Sequence, residues 1–574
     1  MTDAAHAAPV PATATAPELS SAPTTASVQK PEPGPGEQFE VRAGKRERLR
    51  GEGWEPYPVS VPVTTTIAAV RERFGHLEPG QMAAETDSLT TEDATVGVAG
   101  RVVFLRNTGR LCFVTLQDGA GTTLQAMLSA KALPGTGHTS LAAFKNDVDL
   151  GDHLFVHGQV GASRRGELSV FAAPVLADGV APAGEDGKRD LSQVGDDDVV
   201  VPAWRIASKA LRPLPKTWTN EAGETVSLSE EQRVRRRELD LLIRPAARDM
   251  VRTRAAVVRS LRENFHSRDY VELETPMLQV VHGGAAARPF VTHMNAFDMD
   301  LYLRIATEIY LKRAVVGGVD RVFEINRNFR NEGADSSHSP EFAALEAYEA
   351  YSDYDGMADL TRNLVQQAAR DAFGLSEGQE VVVLADGTEY DLSGQWDRID
   401  LYGSLSEAVG EEITVETPRE HLVAIAERLD LEVDSYAVAG KIAEDVFEDL
   451  VGSRLWAPTF VYDFPEDTSP LTRYHRSRPG LTEKWDLYVR GFELGTAYSE
   501  LADPVVQRER FEAQALAAAN GDPEAMVVDE DFLVAMEQGF PPCGGMGMGI
   551  DRLLMALTGQ GIRETITFPL VKRV

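Results

Sequence analysis

The chain has 574 residues, a formal net charge of −32 and 43% hydrophobic residues. This length allows two or three domains with their own cores, and the composition is that of a globular protein rather than a fibrous one. No apolar run reaches the roughly 18 residues that a membrane helix needs, and the first residues lack the segments of a secretory signal, so we expect a cytoplasmic protein with no membrane partner.

The net negative charge argues against a general nucleic-acid binder, but binding depends on local patches. Two basic segments are present, VRAGKRERLRGEG from Val41 and QRVRRRELD from Gln232. Each is also compatible with a solvated helix face. The two cysteines, Cys112 and Cys543, have no Cys or His neighbour at zinc spacing, so we expect free thiols.

The first eighty residues contain two different segments. Residues 1–38 are dominated by Ala, Pro, Thr and Ser and contain no aromatic residue, which predicts a disordered tail. Residues 39–80 form the predicted helical extension, with a basic helix, a Pro-rich turn and a short helix.

Short β-rich runs separated by Gly and Asp turn signals occupy residues 90–212. About five strands in a hundred residues predict a small all-β barrel, and an OB-fold, which commonly binds nucleic acid, is one option. The polar stretch at about 179–205 is predicted to be a surface insertion.

Residues 230–574 mix helices and strands without a regular βαβ repeat, which favours an α+β domain on an antiparallel sheet. Val257, Leu261 and Phe265 recur at helical spacing and predict a helix packed on the core. The segment YVELETPML is predicted to be a strand that ends at Pro276.

The segment RVFEINRNFRNEGADSSHSPEFAALEAYEAY alternates, breaks and alternates again, which predicts a hairpin with Arg330 at the end of its first strand. Arg330 offers bidentate donors to a phosphate, Phe342 can stack on a base, and Glu332 can accept from an amine. Together they describe an ATP site without a Gly-rich loop. A surface hairpin with ordinary ion pairs is the alternative.

Three carboxylates, Asp486, Glu493 and Glu500, are spaced by seven residues. Neighbouring members can share a site only if a turn or bulge intervenes, because odd spacing puts them on opposite faces of one strand. Beside phosphates they would hold Mg²⁺, or else they form a solvated face.

In GMGMGIDRLL, glycines precede a predicted helix with Arg552 near its start; a buried ion pair involving Asp551 is the competing interpretation.

These segments, in this order, resemble the class II aminoacyl-tRNA synthetases, and among them the lysyl-tRNA synthetase family. The resemblance rests on ELETPMLQVVHGGAAARPFVTHMNAFDMDLYLRIATEIYLKRAVVGGVDRVFEINRNFRNEGADSSHSPEF, GFELGTAYSELADPVVQRERFEAQ and PPCGGMGMGIDRLLMALTG, and covers roughly residues 39–574. It implies a class II catalytic domain, an antiparallel sheet flanked by helices, preceded by an anticodon-binding OB-fold. It also implies a homodimer formed through the region leading to Pro276.

The resemblance assigns roles to individual residues. Arg330 and Arg552 match the catalytic arginines. The implied ATP contacts are Arg330, Glu332, His338, Phe342 and Arg552. The implied lysine contacts are Gly284, Glu308, Glu346, Tyr348, Thr496, Tyr498 and Glu500. The implied Mg²⁺ ligands are Asp486, where the family more often has Glu, and Glu493. The implied anticodon contacts are Phe113, Gln125 and Glu167.

The resemblance therefore implies a lysine--tRNA ligase that uses ATP and Mg²⁺ to activate L-lysine and transfers it to tRNA(Lys). Two alternatives stay open at this point. One is a paralogue that activates lysine and passes it to another acceptor, such as a protein, a lipid or a small molecule. The other is a non-catalytic tRNA-binding paralogue.

Overall fold

A computed structural model of the chain describes residues 36–86, 89–178, 180, 190–215, 218–219, 225–226, 228–285, 287–335, 338–519 and 526–572. The predicted tail lies outside these residues except for positions 36–38, which belong to the first helix. The chain divides into two compact units, Met1–Lys216 and Thr217–Val574.

The first unit is built around a barrel. Its helices are α1 Gly36–Gly51, α2 Ile67–Phe74, α3 Ala83–Thr86 and α4 Leu141–Asp147. Its strands are β1 Thr95–Asn107, β2 Leu111–Gln117, β3 Thr123–Ser129, β4 His153–Ala162, β5 Leu168–Ala172, β6 Val175–Leu176, β7 Val199–Val201 and β8 Trp204–Ser208. Strands β1, β2, β3, β5 and β4 pair in this order, and β4 also pairs with β1, so the barrel closes as predicted. Alternate residues of β2 and β3 are buried, because the strand period of two points them into the barrel.

The structure describes position 180 and positions 190–205 of the predicted surface insertion. Positions 179 and 181–189 lie outside the described residues, but β7 pairs with β6 and β8 pairs with β4. Trp204 is fully buried and its indole N–H donates to the Thr139 carbonyl at 2.9 Å. Sequence patterning missed this strand because its polar, Asp-rich neighbours hide one short apolar run.

The second unit contains the remaining elements. Its helices are α5 Glu230–Arg235, α6 Arg237–Ile243, α7 Pro245–Ser267, α8 Glu308–Val316, α9 Tyr354–Phe373, α10 Leu401–Val409, α11 Arg419–Arg428, α12 Ala439–Leu450, α13 Pro504–Ala519, α14 Glu530–Met536, α15 Ile550–Thr558 and α16 Ile562–Thr565. Its strands are β9 Trp218–Thr219, β10 Thr225–Val226, β11 Val271–Glu272, β12 Leu278–Gln279, β13 Val291–Met294, β14 Met299–Leu303, β15 Arg321–Phe329, β16 Glu341–Ala350, β17 Val381–Val383, β18 Glu389–Asp391, β19 Asp397–Asp400, β20 Thr459–Pro465, β21 Leu481–Val489, β22 Phe492–Ser499 and β23 Cys543–Gly549.

An eight-stranded sheet organises this unit, in the order β11-β15-β16-β23-β22-β21-β20-β19. The six inner strands are antiparallel, as predicted, whereas the outer pairs β11–β15 and β19–β20 are parallel. Helices α7 and α9 cover one face, where Val257, Leu261 and Phe265 lie in the main core as their spacing predicted. Met546 and Met548 of β23 face the same core, so the intervening glycines face the opposite side.

The single strand predicted for YVELETPML is wrong. The segment forms β11 and β12 in two different sheets, and the residues between them leave the main sheet. The reason is local: Thr275 donates from its N–H and its hydroxyl to the Glu324 carboxylate, and Pro276 has no N–H for a ladder bond.

Candidate active site

The face of the main sheet opposite α7 and α9 carries aligned polar residues. The cross-strand register makes one row of Cα partners across five strands, Glu324, Glu346, Gly547, Thr496 and Asp486. The adjacent row consists of Val322, Tyr348, Gly545, Tyr498 and Lys484. Residues on one face of neighbouring strands are within side-chain reach of each other. Residues distant in sequence therefore meet on one surface.

Three buried carboxylates cluster on this face, and the region that they border is called the pocket below. Glu308 begins α8, Glu346 belongs to β16 and Glu500 follows β22, and all three are buried. Glu346 accepts a hydrogen bond from the Thr307 N–H at 3.1 Å. Glu500 Oε2 is in ion-pair contact with Lys312 Nζ, although neither oxygen accepts a well-aligned hydrogen bond within the described part of the chain. The three buried carboxylates outnumber this ammonium group, which favours a cationic ligand.

Burial controls the ionisation of this pocket. It raises the pKa of Glu346 to about 7, although the Thr307 hydrogen bond opposes the shift. It raises the pKa of Glu500 to about 8, although the neighbouring Lys312 ammonium lowers it. Burial and the surrounding carboxylates also raise the pKa of Tyr348, so its hydroxyl remains a donor. The empty pocket therefore disfavours ionised carboxylates, and a bound cation would favour their ionisation.

Three glycines lie close to these carboxylates. A Cβ atom on Gly545 would lie 2.1 Å from Glu500 Oε1 and 2.4 Å from Tyr348 Cε1. At Gly547 the nearest atom, Glu346 Cγ, is 3.8 Å away. Gly284, at φ +86°, approaches from above, and a Cβ there would lie 3.1 Å from Glu308 Cβ. The absence of a Cβ atom at Gly545 lets Glu500 and Tyr348 pack directly against β23.

This geometry predicts unequal effects of two alanine substitutions. Gly545→Ala is expected to lower the free energy of unfolding by about 1–3 kcal/mol, because the new methyl group displaces Glu500 or Tyr348. Gly547→Ala, its matched control, is expected to change stability little. Thermal unfolding midpoints of the two variants provide the measurement. Equal midpoints would contradict the tight packing around Gly545.

Arg330 lies next to the pocket, at the end of β15, as the alternation predicted. Its guanidinium stacks on the Phe342 ring at 5.1 Å from the ring centroid. Its Nε is buried and has no hydrogen-bond partner among the described residues. Burial lowers its pKa, although Glu332 and Glu493 oppose the shift. A ligand phosphate or carboxylate would satisfy this group.

Other cationic and acidic groups border Arg330. Arg552, on the first turn of α15, donates to the Glu493 carbonyl at 2.8 Å, and its Nη2 lies 3.5 Å from His338 Nε2. Glu332 accepts from the Arg288 N–H at 3.1 Å and is exposed. The proposed buried pair of Asp551 exists separately: its carboxylate contacts Arg254 and accepts from the Ala343 N–H.

Asp486 and Glu493 could hold a divalent cation. A turn after β21 brings them to neighbouring strands, as the odd spacing required. Burial raises the pKa of Asp486 to about 7, and the nearby Glu493 carboxylate also raises it. Asp486 Oδ1 is buried without a hydrogen-bond partner in the described regions, whereas Oδ2 lies 3.1 Å from Lys484 Nζ. The described residues contain no cluster of three metal-ligating side chains, so phosphate and water oxygens would complete the set.

The barrel of the first unit presents a separate candidate surface. Phe113 and Gln125 lie on the outward side of β2 and β3, and Gln125 accepts from the Ser169 hydroxyl at 3.0 Å. Glu167 is exposed and lies 3.3 Å from Arg71. Phe104, which is 52% exposed, pairs across strands with Thr115, and Thr115 pairs with Gln125. Phe104 therefore extends the face that carries Phe113 and Gln125.

Sequence reasoning missed Lys312, Lys484, Asn328 and Phe104. Lys312 had a signal, because it follows Glu308 by four residues on a helix. Asn328 was indicated by the alternation of β15, which places its buried side chain on the same face as Glu324 and Asn326. Lys484 and Phe104 are identified only by their cross-strand partners.

Known proteins show clear similarity to both units. Residues 229–572 match the family described as tRNA synthetases class II (D, K and N), and residues 96–173 match an OB-fold nucleic acid binding domain. A protein named lysine--tRNA ligase from Kineococcus radiotolerans is 58% identical over 94% of this chain and 99% of its own length. Another of that name, from Mycolicibacterium gilvum, is 57% identical over 94% of this chain and 97% of its own length.

A further relative has a different name. The lysylphosphatidylglycerol biosynthesis bifunctional protein LysX from Gordonia bronchialis is 44% identical over 96% of this chain, which covers 43% of that protein. Among the described residues, no helix combines the length and apolar character needed to cross a membrane.

Proposed function

This chain belongs to the class II tRNA synthetases, and we propose that it is a lysine--tRNA ligase, which activates L-lysine with ATP and transfers it to tRNA(Lys). The observation that supports this most strongly is the pocket of Glu308, Glu346 and Glu500 beside Arg330. Lysine carries two ammonium groups and one carboxylate, and it complements this arrangement. Aspartate and asparagine lack the second ammonium and would leave a buried negative charge without a counter-ion.

The proposal assigns the ends of lysine to different residues. Glu500 and Tyr348 bind the ε-ammonium group, and Thr496 and Tyr498 line the pocket beside them. Glu308, Glu346 and Gly284 surround the α-amino group. The two rows of aligned residues on the sheet support this assignment, because they place β16, β23 and β22 side by side.

ATP binds along the same face in this proposal. Arg330 contacts both the α-phosphate and the lysine carboxylate, and the unpartnered Nε supports that role. Phe342 stacks on the adenine and Glu332 accepts from its amine. His338 and Arg552 lie near the terminal phosphate, which the 3.5 Å separation of their side chains supports.

The reaction then needs alignment and charge neutralisation rather than a strong base. The lysine carboxylate forms a bond to the α-phosphorus, and the bond to pyrophosphate breaks. The terminal ribose hydroxyl of the tRNA next attacks the carbonyl carbon, and AMP leaves. Arg330 and Arg552 stabilise the charge that develops on the phosphoryl oxygens. Asp486 and Glu493 would hold Mg²⁺, which when bound neutralises phosphate charge.

A homodimer in the cytoplasm is part of the proposal. Met277, Leu278 and Val280, which follow Pro276, are each about half exposed although they are apolar. Exposed apolar side chains clustered in one segment are typical of protein interfaces. They support pairing of two chains through this region.

The barrel is proposed to bind the anticodon through Phe113, Gln125 and Glu167. Phe113→Ala is expected to weaken tRNA binding by about 1–3 kcal/mol, the contribution of one stacked base. Lysine-dependent ATP–pyrophosphate exchange should stay unchanged, because that reaction does not need tRNA. The KM for tRNA in the charging reaction provides the measurement. Leu150→Ala, another exposed apolar residue of this unit, is the control, and equal effects of both changes would contradict the assignment.

The name of the LysX relative supports a second candidate, in which activated lysine passes to a lipid. Purified tRNA(Lys) and phosphatidylglycerol vesicles can be offered separately with labelled lysine and ATP. We expect label on the 3′ end of the tRNA. Label on lipid with uncharged tRNA would replace the proposal by the second candidate, and no exchange at all would indicate a non-catalytic paralogue.

A further inference from the structure

The lysine pocket of the proposed function already contains a cation of the protein. Lys312 is completely buried on α8, one turn after Glu308. Its Nζ lies 2.5 Å from Glu308 Oε1 and in ion-pair contact with Glu500 Oε2. It therefore contacts one carboxylate assigned to each end of the substrate.

Other titratable groups also face this cluster. Glu346 and Tyr348 face it from β16, Tyr498 from β22 and Cys543 from β23. Lys312 contacts two of the three carboxylates directly, and two further cations lie nearby: Lys484 faces Tyr498 from β21, and Arg330 interacts with Glu346 from the end of β15. Although burial opposes its charge, Glu308 and Glu500 raise the pKa of Lys312 above its usual value, so it stays charged.

Charge balance gives this lysine a function. Three ionised carboxylates and Lys312 carry a net charge of −2, which two substrate ammonium groups neutralise. Without Lys312, the same three ionised carboxylates would carry a charge of −3 in a buried space, so their ionisation on lysine binding would cost more free energy.

We propose that Lys312 is a positioning residue that acts as a resident counter-charge for Glu308 and Glu500 and eases their ionisation when lysine binds. This inference rests on the proposed function. In this role Lys312 increases the affinity for lysine without contacting the substrate. It also explains why a pocket for a cation contains a buried cation.

The pH dependence of lysine binding tests this proposal. In the unsubstituted protein, Glu500 has a pKa of about 8, so it carries a proton below that pH and must lose it when the ε-ammonium binds. The KM for lysine in ATP–pyrophosphate exchange should therefore fall as pH rises, with a break near pH 8. Comparison of variants at the same pH cancels the ionisation of lysine itself.

The decisive variant is Lys312→Met, which keeps an unbranched apolar side chain and removes the charge. We expect the break to move upward by about one pH unit or more, and the KM at pH 7 to rise about tenfold or more, with a smaller change in kcat. Arg313→Met, at the next position of α8, is the matched control and should keep the unsubstituted profile.

Charge compensation distinguishes this role from a purely structural one. In the double variant Lys312→Met/Glu308→Gln the net charge returns to −2, and the break should return close to its original position even if the KM stays high. Lys312→Arg should also keep the break. If Lys312→Met does not fold, these two variants decide the question.

An unchanged break in folded Lys312→Met would overturn the inference, as would a shifted break in Lys312→Arg or in the double variant. Absence of lysine-dependent exchange in the unsubstituted protein would instead overturn the proposed function, so the two failures are distinguishable.

Discussion

Arg330→Ala is expected to reduce lysine-dependent ATP–pyrophosphate exchange by about 10³-fold, while the second unit stays folded. The proposed role of this guanidinium is to neutralise charge between the α-phosphate and the attacking carboxylate. Its buried Nε has no partner in the described chain, so the fold does not depend on a hydrogen bond from this atom. The rate of exchange at saturating ATP and lysine, with a thermal unfolding curve, provides the measurement.

Arg327→Ala is the matched control for this change. Arg327 lies on the same strand, but the alternation of β15 directs its side chain to the other face of the sheet. It should keep most of the exchange activity. Near-normal exchange in Arg330→Ala, or an equal loss in both variants, would refute the assignment of Arg330 to the transition state.

Glu500→Gln is expected to lower kcat/KM for lysine by about 10³-fold, mainly through KM. The amide keeps the shape of the side chain but removes the anion proposed to pair with the ε-ammonium group. It also leaves Lys312 with only Glu308 as a contacting carboxylate, which increases the net positive charge of the pocket. Exchange measured over a range of lysine concentrations gives both constants.

The control for this change is Glu509→Gln, on the exposed surface of α13. It should leave both constants unchanged. If Glu500→Gln kept its kcat/KM for lysine, the ε-ammonium group would have to bind elsewhere, and the assignment of the three carboxylates would be wrong.

Local patterns were sufficient to predict much of this fold. The break in alternation between β15 and β16 predicted a hairpin, and the hairpin brings Arg330 against Phe342. The spacing of Val257, Leu261 and Phe265 predicted α7, because three apolar residues on one helix face need a core. Both inferences use residues that are close in sequence.

Long-range pairing was harder to predict. Lys484 faces Tyr498 only because β21 and β22 pair in one particular register. The contact of Lys312 with Glu500 joins residues from α8 and the end of β22. A local pattern cannot select one register among several, since the side-chain alternation of a strand is the same in each. The sequence therefore indicated the pairing of Lys312 with Glu308 on one helix but not its contact with Glu500.

Amino-acid-dependent ATP–pyrophosphate exchange, measured with each of the twenty amino acids, tests the central claim most directly. The pocket of Glu308, Glu346 and Glu500 predicts strong exchange with lysine alone. Exchange supported by aspartate or asparagine, with none for lysine, would contradict an anionic pocket that selects a dication.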